Sequence, residues 1–440
     1  MAERDATDPK THWWQKESTI PSLLLWTGVF IIFLLLALLW TTTRHRSFSL
    51  ITREARAPNF EAQLPSVAAL SQGTLIEGNQ IDIGINGEFF DRLLEDLETA
   101  EETIHLETFV WWDGPVTVRI AELLAEKARK GVEVRVLVDS SGGSEMTGEV
   151  ESMMLDAGVQ LVWFRPLRFG NVGRLNFRDH RKIIVIDGKL AYLFGHGIAQ
   201  EWTGNAENKE RYRDTYARIR GPIVNQIQGV FFENWVEETR DLPSGRKYFP
   251  SIEPAGSMVA HLAWIQPIGD ISAVEVLHYA AIAAARKDIV IQNPYFVVED
   301  SGLALLSSAV DRGVRVRVML PSVEGTDNAL VQHASHARFE ELLEAGVEIW
   351  EYDQTLLHQK IMVIDGVWSA IGSTNFDDRS FELNDEIQIG ILDEGIASRL
   401  LADFESDLKY AHQVDLEQFR NRSIFDKLKD WASYTFNEQL

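Results

Sequence analysis

HRKIIVIDG, from His180 to Gly188, and HQKIMVIDG, from His358 to Gly366, are nearly the same phrase written twice, 178 residues apart. Each copy has a histidine and a lysine two residues apart, then four uniformly apolar residues, then an aspartate. Residues two apart on a strand face the same side, so His180 with Lys182, and His358 with Lys360, project together from one end of a strand. Asp187 and Asp365 follow at the other end. The runs Ile183 to Ile186 and Ile361 to Ile364 are too short and too apolar for exposed strands, and read as central buried strands leading away from their histidines. One such phrase is weak evidence, since a surface histidine beside a solvated lysine would account for it. Two copies point to one site shared between two halves, because a structural strand edge has no need of identical His and Lys in both.

Outward from these phrases the repetition continues. KGVEVRVLV from Lys130 matches RGVRVRVML from Arg312, and AGVQLVWF from Ala157 matches AGVEIWEY from Ala345, at offsets of 182 and 188 residues. A near-constant offset across three ordered blocks implies duplicated lobes, expected to pack about a pseudo-twofold axis. Helical stretches such as Val118 to Arg129 precede β-branched runs such as Val132 to Val138, which is the α/β signature of a mixed sheet flanked by helices. The polar, Pro-rich junction Leu242 to Pro254 separates the halves. The expected organisation is an N-terminal tail at 1–19, a transmembrane helix at 20–43, a linker at 44–73, lobes at 74–247 and 255–425, and a C-terminal tail at 426–440. Glu107 and Gln292 fall at equivalent repeat positions and are second-rank site candidates.

The transmembrane reading rests on the absence of charge between Glu17 and Arg44 and on the run LLLWTGVFIIFLLLALLW from Leu23 to Trp40. The 20 or so residues needed to cross about 30 Å of hydrocarbon are there. A cleaved signal is disfavoured, because the apolar run exceeds the usual core of about 7 to 15 residues and no small-x-small site follows. Arg4, Lys10 and Lys16 before the run nearly balance Arg44, Arg46, Arg53 and Arg56 after it, a tally leaning towards a cytoplasmic catalytic portion. With no cysteine among 440 residues, thiolate metal sites and thiol nucleophiles are excluded. A net charge of −24 counts against a general nucleic-acid binder but says nothing of a local cationic pocket.

The paired His and Lys suit displacement at a phosphodiester. Such a reaction needs an unprotonated imidazole as nucleophile and a second group to protonate the departing alkoxide. Two histidines in opposite protonation states fill both roles. Two lysines supply fixed positive charge to the non-bridging oxygens, so the chemistry demands neither metal nor cofactor.

The second phrase extends to Gly372-Ser373-Thr374-Asn375 and then to Arg379-Ser-Phe-Glu-Leu-Asn384-Asp-Glu386. With these residues the chain, from about 75 to 425, resembles the phospholipase D superfamily, most of all its bacterial cardiolipin synthase branch. The resemblance implies phosphate contacts from Ser373 and Asn375, and Glu386 orienting His358. The first phrase departs from the pattern: Phe194-Gly195-His196-Gly197 lacks the hydroxyl and carboxamide, leaving the backbone at Gly195 as the phosphate contact and His196 as an unusual candidate. Arg213-Asp214 resembles the acidic position orienting His180, with Glu201 as a competitor nearer in sequence. Spacing does not decide which histidine attacks; the resemblance favours His180 as nucleophile and His358 as acid, then base.

Just before the first phrase, Arg165, Arg168, Arg174, Arg178, Arg181 and Lys182 stand against one acid, Asp179, interleaved with Trp163, Phe164, Phe169 and Phe177. In so acidic a chain this reversal suits a phosphate-bearing headgroup at a membrane surface. The resemblance implies a phosphatidyl transferase of a bacterial cell membrane, joining two phosphatidylglycerols with release of glycerol through a phosphohistidine, with no nucleic-acid partner. A hydrolytic phospholipase D shares the covalent step. A nuclease of the superfamily and a non-catalytic scaffold are the further alternatives. The stretch Phe425 to Phe436 has a mixed apolar face, suited to docking on the second lobe or to touching lipid.

Overall fold

In the computed structural model, residues 24–34, 59–166, 176–266 and 272–435 are described, and the chain forms two compact units, residues 1–48 and 49–440. In the first, residues 24–34 are helical, with Leu24, Trp26, Phe30 and Phe33 all exposed. The ends of the predicted span at 20–43 lie outside the described residues. Among the described residues no helix is long and apolar enough to cross a membrane.

The second unit is built on one mixed sheet of fifteen strands flanked by helices. Its first half comprises β1 (Ile76–Ile85), β2 (Thr103–Thr108), β3 (Glu133–Asp139), β4 (Gln160–Phe164), β5 (Ile183–Ile186), β6 (Leu190–Phe194) and β7 (Thr215–Arg220). The second comprises β8 (Met258–Ile265), β9 (Asp288–Gln292), β10 (Arg315–Pro321), β11 (Glu348–Tyr352), β12 (Ile361–Ile364), β13 (Trp368–Gly372), β14 (Glu386–Leu392) and a short edge strand β15 (Ala411–Gln413). From the centre outward the order is β1-β7-β6-β5-β2-β3-β4 on one side and β8-β14-β13-β12-β9-β10-β11 on the other, the same sequence of strands twice. β1 and β8 join the halves antiparallel, through Ile76 opposite Ala260 and Asn79 opposite Met258.

The uniform apolarity of β5 and β12 has a direct cause. Ile183 and Val185 point into a core that also holds Ile361, Val363 and Ile371 of the other half. Ile184 and Ile186 point the opposite way, onto Ile120 and Leu124 of the helix Pro115–Arg129 and Met154 of the helix Gly148–Asp156. Both faces are buried, so alternation with polar residues is excluded.

The stretch read as linker is in part a helix. Phe60–Leu70 begins at an N-cap whose Asn59 side chain accepts from the Ala62 N–H, and it buries Phe60, Leu64, Val67 and Ala68. That spacing is helical, and Pro65 lies on the exposed side. Phe60 packs 5.4 Å from the Trp368 ring. The tail assigned to 426–440 likewise begins inside a helix, Ile424–Tyr434.

Candidate active site

The segment entering β5 and the segment entering β14 are stitched together across the halves: the His180 N–H donates to the Asp385 carbonyl at 2.9 Å and the Asp385 N–H to that of Arg178 at 2.8 Å. The mirror arrangement joins the entrances of β12 and β7, where the His358 N–H donates to the Arg213 carbonyl at 2.7 Å and the Arg213 N–H to that of Leu356 at 2.9 Å. Each histidine is thereby brought to a carboxylate from the other half. His180 Nδ1 lies 2.8 Å from Glu386 Oε1, and His358 Nδ1 lies 2.8 Å from Asp214 Oδ2. This corrects the pairing expected from the sequence, in which Glu386 served His358 and Asp214 served His180. Crossed bridges between strand entrances, not proximity along the chain, decide the partner. Glu201 orients neither histidine; its carbonyl accepts from the Tyr212 N–H at 2.7 Å.

Each lysine folds back on its own strand end, Lys182 Nζ donating to the His180 carbonyl and Lys360 Nζ to that of His358, both at 2.7 Å. Lys360 Nζ also lies 3.0 Å from each ring nitrogen of His358. All four side chains are buried. Burial lowers Lys182 to about 8 and Lys360 to about 7, the charge of Lys182 adding to the shift of Lys360. Burial, with Lys182 and Lys360 beside it, holds His180 well below its ordinary value, so its imidazole is neutral. His358 is lowered to about 4 by burial and Lys360.

The two carboxylates differ. Burial pushes Glu386 up to about 7 in spite of Lys182 and the Ser373 hydroxyl that donates to it. Burial acts the same way on Asp214, but the neighbouring His196, His358 with its hydrogen bond, and Lys360 override it and hold the group down to about 2. Asp214 also accepts from Trp202 Nε1 at 3.0 Å and from the Thr215 N–H at 2.8 Å. Trp202, whose ring stands edge-on to His358 at 5.2 Å, was not foreseen. Nothing in its spacing marks it, since it reaches the site from a short 3₁₀ turn, Gln200–Trp202.

The remaining predicted residues divide. Ser373 touches Glu386, and Asn375 has a buried Oδ1 without a hydrogen-bond partner among the described residues. Gly195 occupies the position equivalent to Ser373, and a Cβ there would fall 2.4 Å from Asp214 Oδ1. Its N–H turns to the Thr215 carbonyl at 3.4 Å, so the structure corrects its reading as a phosphate donor: the missing side chain makes room for the carboxylate. His196 is fully buried against Phe89 at 4.7 Å, its Nε2 3.0 Å from the Asn86 carbonyl. It sits behind Asp214, with Nδ1 3.9 Å from that carboxylate. Glu107 accepts from Asn234 at 2.8 Å. Gln292 donates at 3.0 Å to Asp407, which also receives Arg213 at 3.0 Å. Both second-rank candidates bond to other protein groups.

The motif aspartates are also corrected: neither reaches the pocket. Asp187 and Gly188 both have positive φ, as do Asp365 and Gly366, which makes Asp-Gly the two-residue turn of the β5–β6 and β12–β13 hairpins. From that turn the Asp187 carboxylate accepts the backbone N–H groups of Glu101, Glu102 and Thr103. Asp365 does the same for Arg286, Lys287 and Asp288. We expect Asp187→Ala to cost about 2 kcal/mol of stability, read as a lower Tm. The kcat per folded molecule should stay within about twofold, whereas loss of kcat at unchanged Tm would return the residue to the chemistry.

The basic stretch is partly committed elsewhere. Arg165 is buried in an ion pair with Asp385 at 2.9 Å, and Arg181 is fully buried, bonded to Glu233 at 2.8 Å. Arg165 neutralises the interior Asp385 and Arg181 is itself interior, so neither lines a headgroup surface, which corrects that expectation for them. Arg168, Arg174 and Phe169 lie outside the described residues.

Residues 93–233 and 279–408 match the family model described as cardiolipin synthase, PLD-like domain. The chain belongs to this family. It is 36% identical over 343 residues to the cardiolipin synthase of Geobacillus sp. (strain WCH70), covering 77% of this chain and 68% of that one. It is 34% identical over 358 residues to the probable cardiolipin synthase YwiE of Bacillus subtilis (strain 168), covering 81% and 71%. Among solved structures it resembles the phosphatidylserine synthase of Haemophilus influenzae Rd KW20, with a TM-score of 0.64 at 14% identity over 87% of this chain and all of that one. That likeness shows the phospholipase D-like fold. Both His-x-Lys phrases lie within the matched residues.

Proposed function

We infer that this member of the cardiolipin synthase family is a phospholipase D-type phosphotransferase that joins two phosphatidylglycerols, releasing glycerol. The observation that supports it most is the pair of crossed His–carboxylate contacts with two buried lysines beside them. His180 uses its Nε2 lone pair, because Nδ1 is engaged by Glu386. It attacks the phosphorus of the first phosphatidylglycerol, the bond to the glycerol oxygen breaks, and His358 gives that oxygen a proton. The resulting phosphatidyl-histidine is resolved by a hydroxyl of the second phosphatidylglycerol, whose proton passes to His358. Asp214, ionised, stabilises the imidazolium of His358, while Lys182 and Lys360 hold the phosphoryl oxygens with Asn375. The two halves are read as duplicated lobes about a pseudo-twofold axis, in line with the doubled strand order.

The apolar run from Leu23 to Trp40 is proposed as a single membrane span that tethers the enzyme beside its substrate. Incubation of the purified chain with phosphatidylglycerol tests the reaction. Cardiolipin with one glycerol per molecule is expected; phosphatidic acid alone would instead identify the hydrolase. Resistance of the membrane-bound chain to alkaline carbonate extraction tests the span.

The same site fixes a pH dependence. As pH rises, Lys360 and Lys182 lose charge at about 7 and about 8; as it falls, Glu386 takes up a proton at about 7. We expect a narrow bell for kcat/KM near neutrality. Lys360→Arg should weaken the alkaline limb, since arginine keeps its charge. An alkaline limb unchanged in that variant would mean another group sets it.

A further inference from the structure

The helix Ile424–Tyr434 is mounted the wrong way round for a globular protein. Its inward side carries buried Asp430 and Ser433 beside Tyr434, which packs against Val297, Val331 and Ala334; Asp430 accepts from His333 at 2.7 Å and is ion-paired with Arg422 at 2.9 Å. Its apolar side faces out, with Ile424 and Phe425 each 74% exposed, Leu428 58% and Trp431 65%. These four fall on one stripe at helical spacing. A helix docked by burying its apolar face would be turned by about half a circle; here the hydrogen bond to His333 and the ion pair with Arg422 at buried Asp430 hold the reverse orientation.

Charge at the rim narrows what the stripe meets. Lys427 and Lys429 flank it against one half-exposed acid, Asp426, in a chain whose net charge is −24. Bulky apolar and indole side chains bordered by lysine suit the interface of an anionic bilayer. The position agrees. The helix packs on Ala329–His336, whose neighbour Asp327 contributes to the field at both His358 and Lys360. A surface seated on this helix would rest over the helix Ala329–His336, next to Asp327.

We propose that Ile424–Tyr434 is an interfacial docking helix that lays Ile424, Phe425, Leu428 and Trp431 into the surface of the bilayer from which substrate is drawn. The proposal rests on the lipid reading above, but its test separates the two. Because the chain has no cysteine, Leu428→Cys and, as a comparison on the other half, Lys130→Cys each give one labelling position. The full chain, carrying an environment-sensitive fluorophore, is reconstituted in phosphatidylcholine–phosphatidylglycerol bilayers containing a spin-labelled lipid. We expect the probe at 428 to shift to the blue and to be quenched severalfold more than the probe at 130. Equal quenching, or none at 428, overturns the proposal. A blue shift without lipid quenching, together with cross-linking through residue 428, overturns it in favour of a second copy of the chain. Phe425→Glu with Trp431→Glu should lower turnover of bilayer phosphatidylglycerol by about tenfold and that of detergent-dispersed substrate by less than about twofold; equal effects on both also overturn it. If quenching is seen and no cardiolipin forms, docking stands and the reading of the reaction falls; cardiolipin formed without quenching gives the converse.

Discussion

Replacing His180 by alanine is expected to lower lipid turnover by about 10⁴-fold or more, because it removes the atom that becomes bonded to phosphorus. The assignment follows from the unlike surroundings of the two rings. His180 is neutral in its buried pocket, and its Nδ1 is held by Glu386, itself raised to about 7. With Glu386 ionised, the Nδ1–H donates to it and Nε2 keeps a free lone pair, while a carboxylate raised to about 7 holds a second proton on the ring less firmly than Asp214 would. Burial and Lys360 lower His358 as well, to about 4, but it faces an ionised Asp214, held down to about 2, which stabilises the charge that the ring must carry as an acid. Rapid quenching of wild-type enzyme with phosphorus-labelled phosphatidylglycerol should place the label on His180. His358→Ala should retain labelling at His180 with a substrate whose leaving group needs no proton. Label on His358 in the wild type would reverse the two roles.

The mixed sheet flanked by helices and both motif histidines at the ends of buried strands were legible in the sequence because these depend on local pattern. Ile183–Ile186 and Ile361–Ile364 are apolar throughout since both faces of each are covered, and that shows in four letters. The partner of each histidine did not show. Asp214 and Glu386 each follow a motif in their own half, and only the backbone bridges between Arg213 and Leu357 and between Asp179 and Asp385 reveal the exchange. The motif aspartates misled for a related reason: Asp-Gly between two apolar runs is a hairpin turn by its own chemistry, and that reading was available. So was the helix Phe60–Leu70, whose apolar spacing outweighed its proline. Arg165 and Arg181 look like surface charge in sequence, and only the positions of Asp385 and Glu233 show them to be interior.

The exchange of partners makes a prediction that neither motif makes alone. Asp214→Asn is expected to slow turnover by about 10³-fold, because the carboxamide cannot stabilise a charged His358. Since His358 protonates the leaving alkoxide, that defect should shrink when the leaving group needs no proton, as with a p-nitrophenyl phosphodiester. Glu386→Gln acts on the attacking ring instead. Its defect should persist with the activated substrate, because attack by His180 still precedes loss of any leaving group. If each carboxylate served the histidine of its own half, the pattern would be inverted, with rescue in Glu386→Gln and none in Asp214→Asn. The comparison reads the ratio of rates on the two substrates within each variant, so a general loss of folded protein cancels. What remains is the partner of each histidine, 2.8 Å away in both cases and from the opposite half of the sheet.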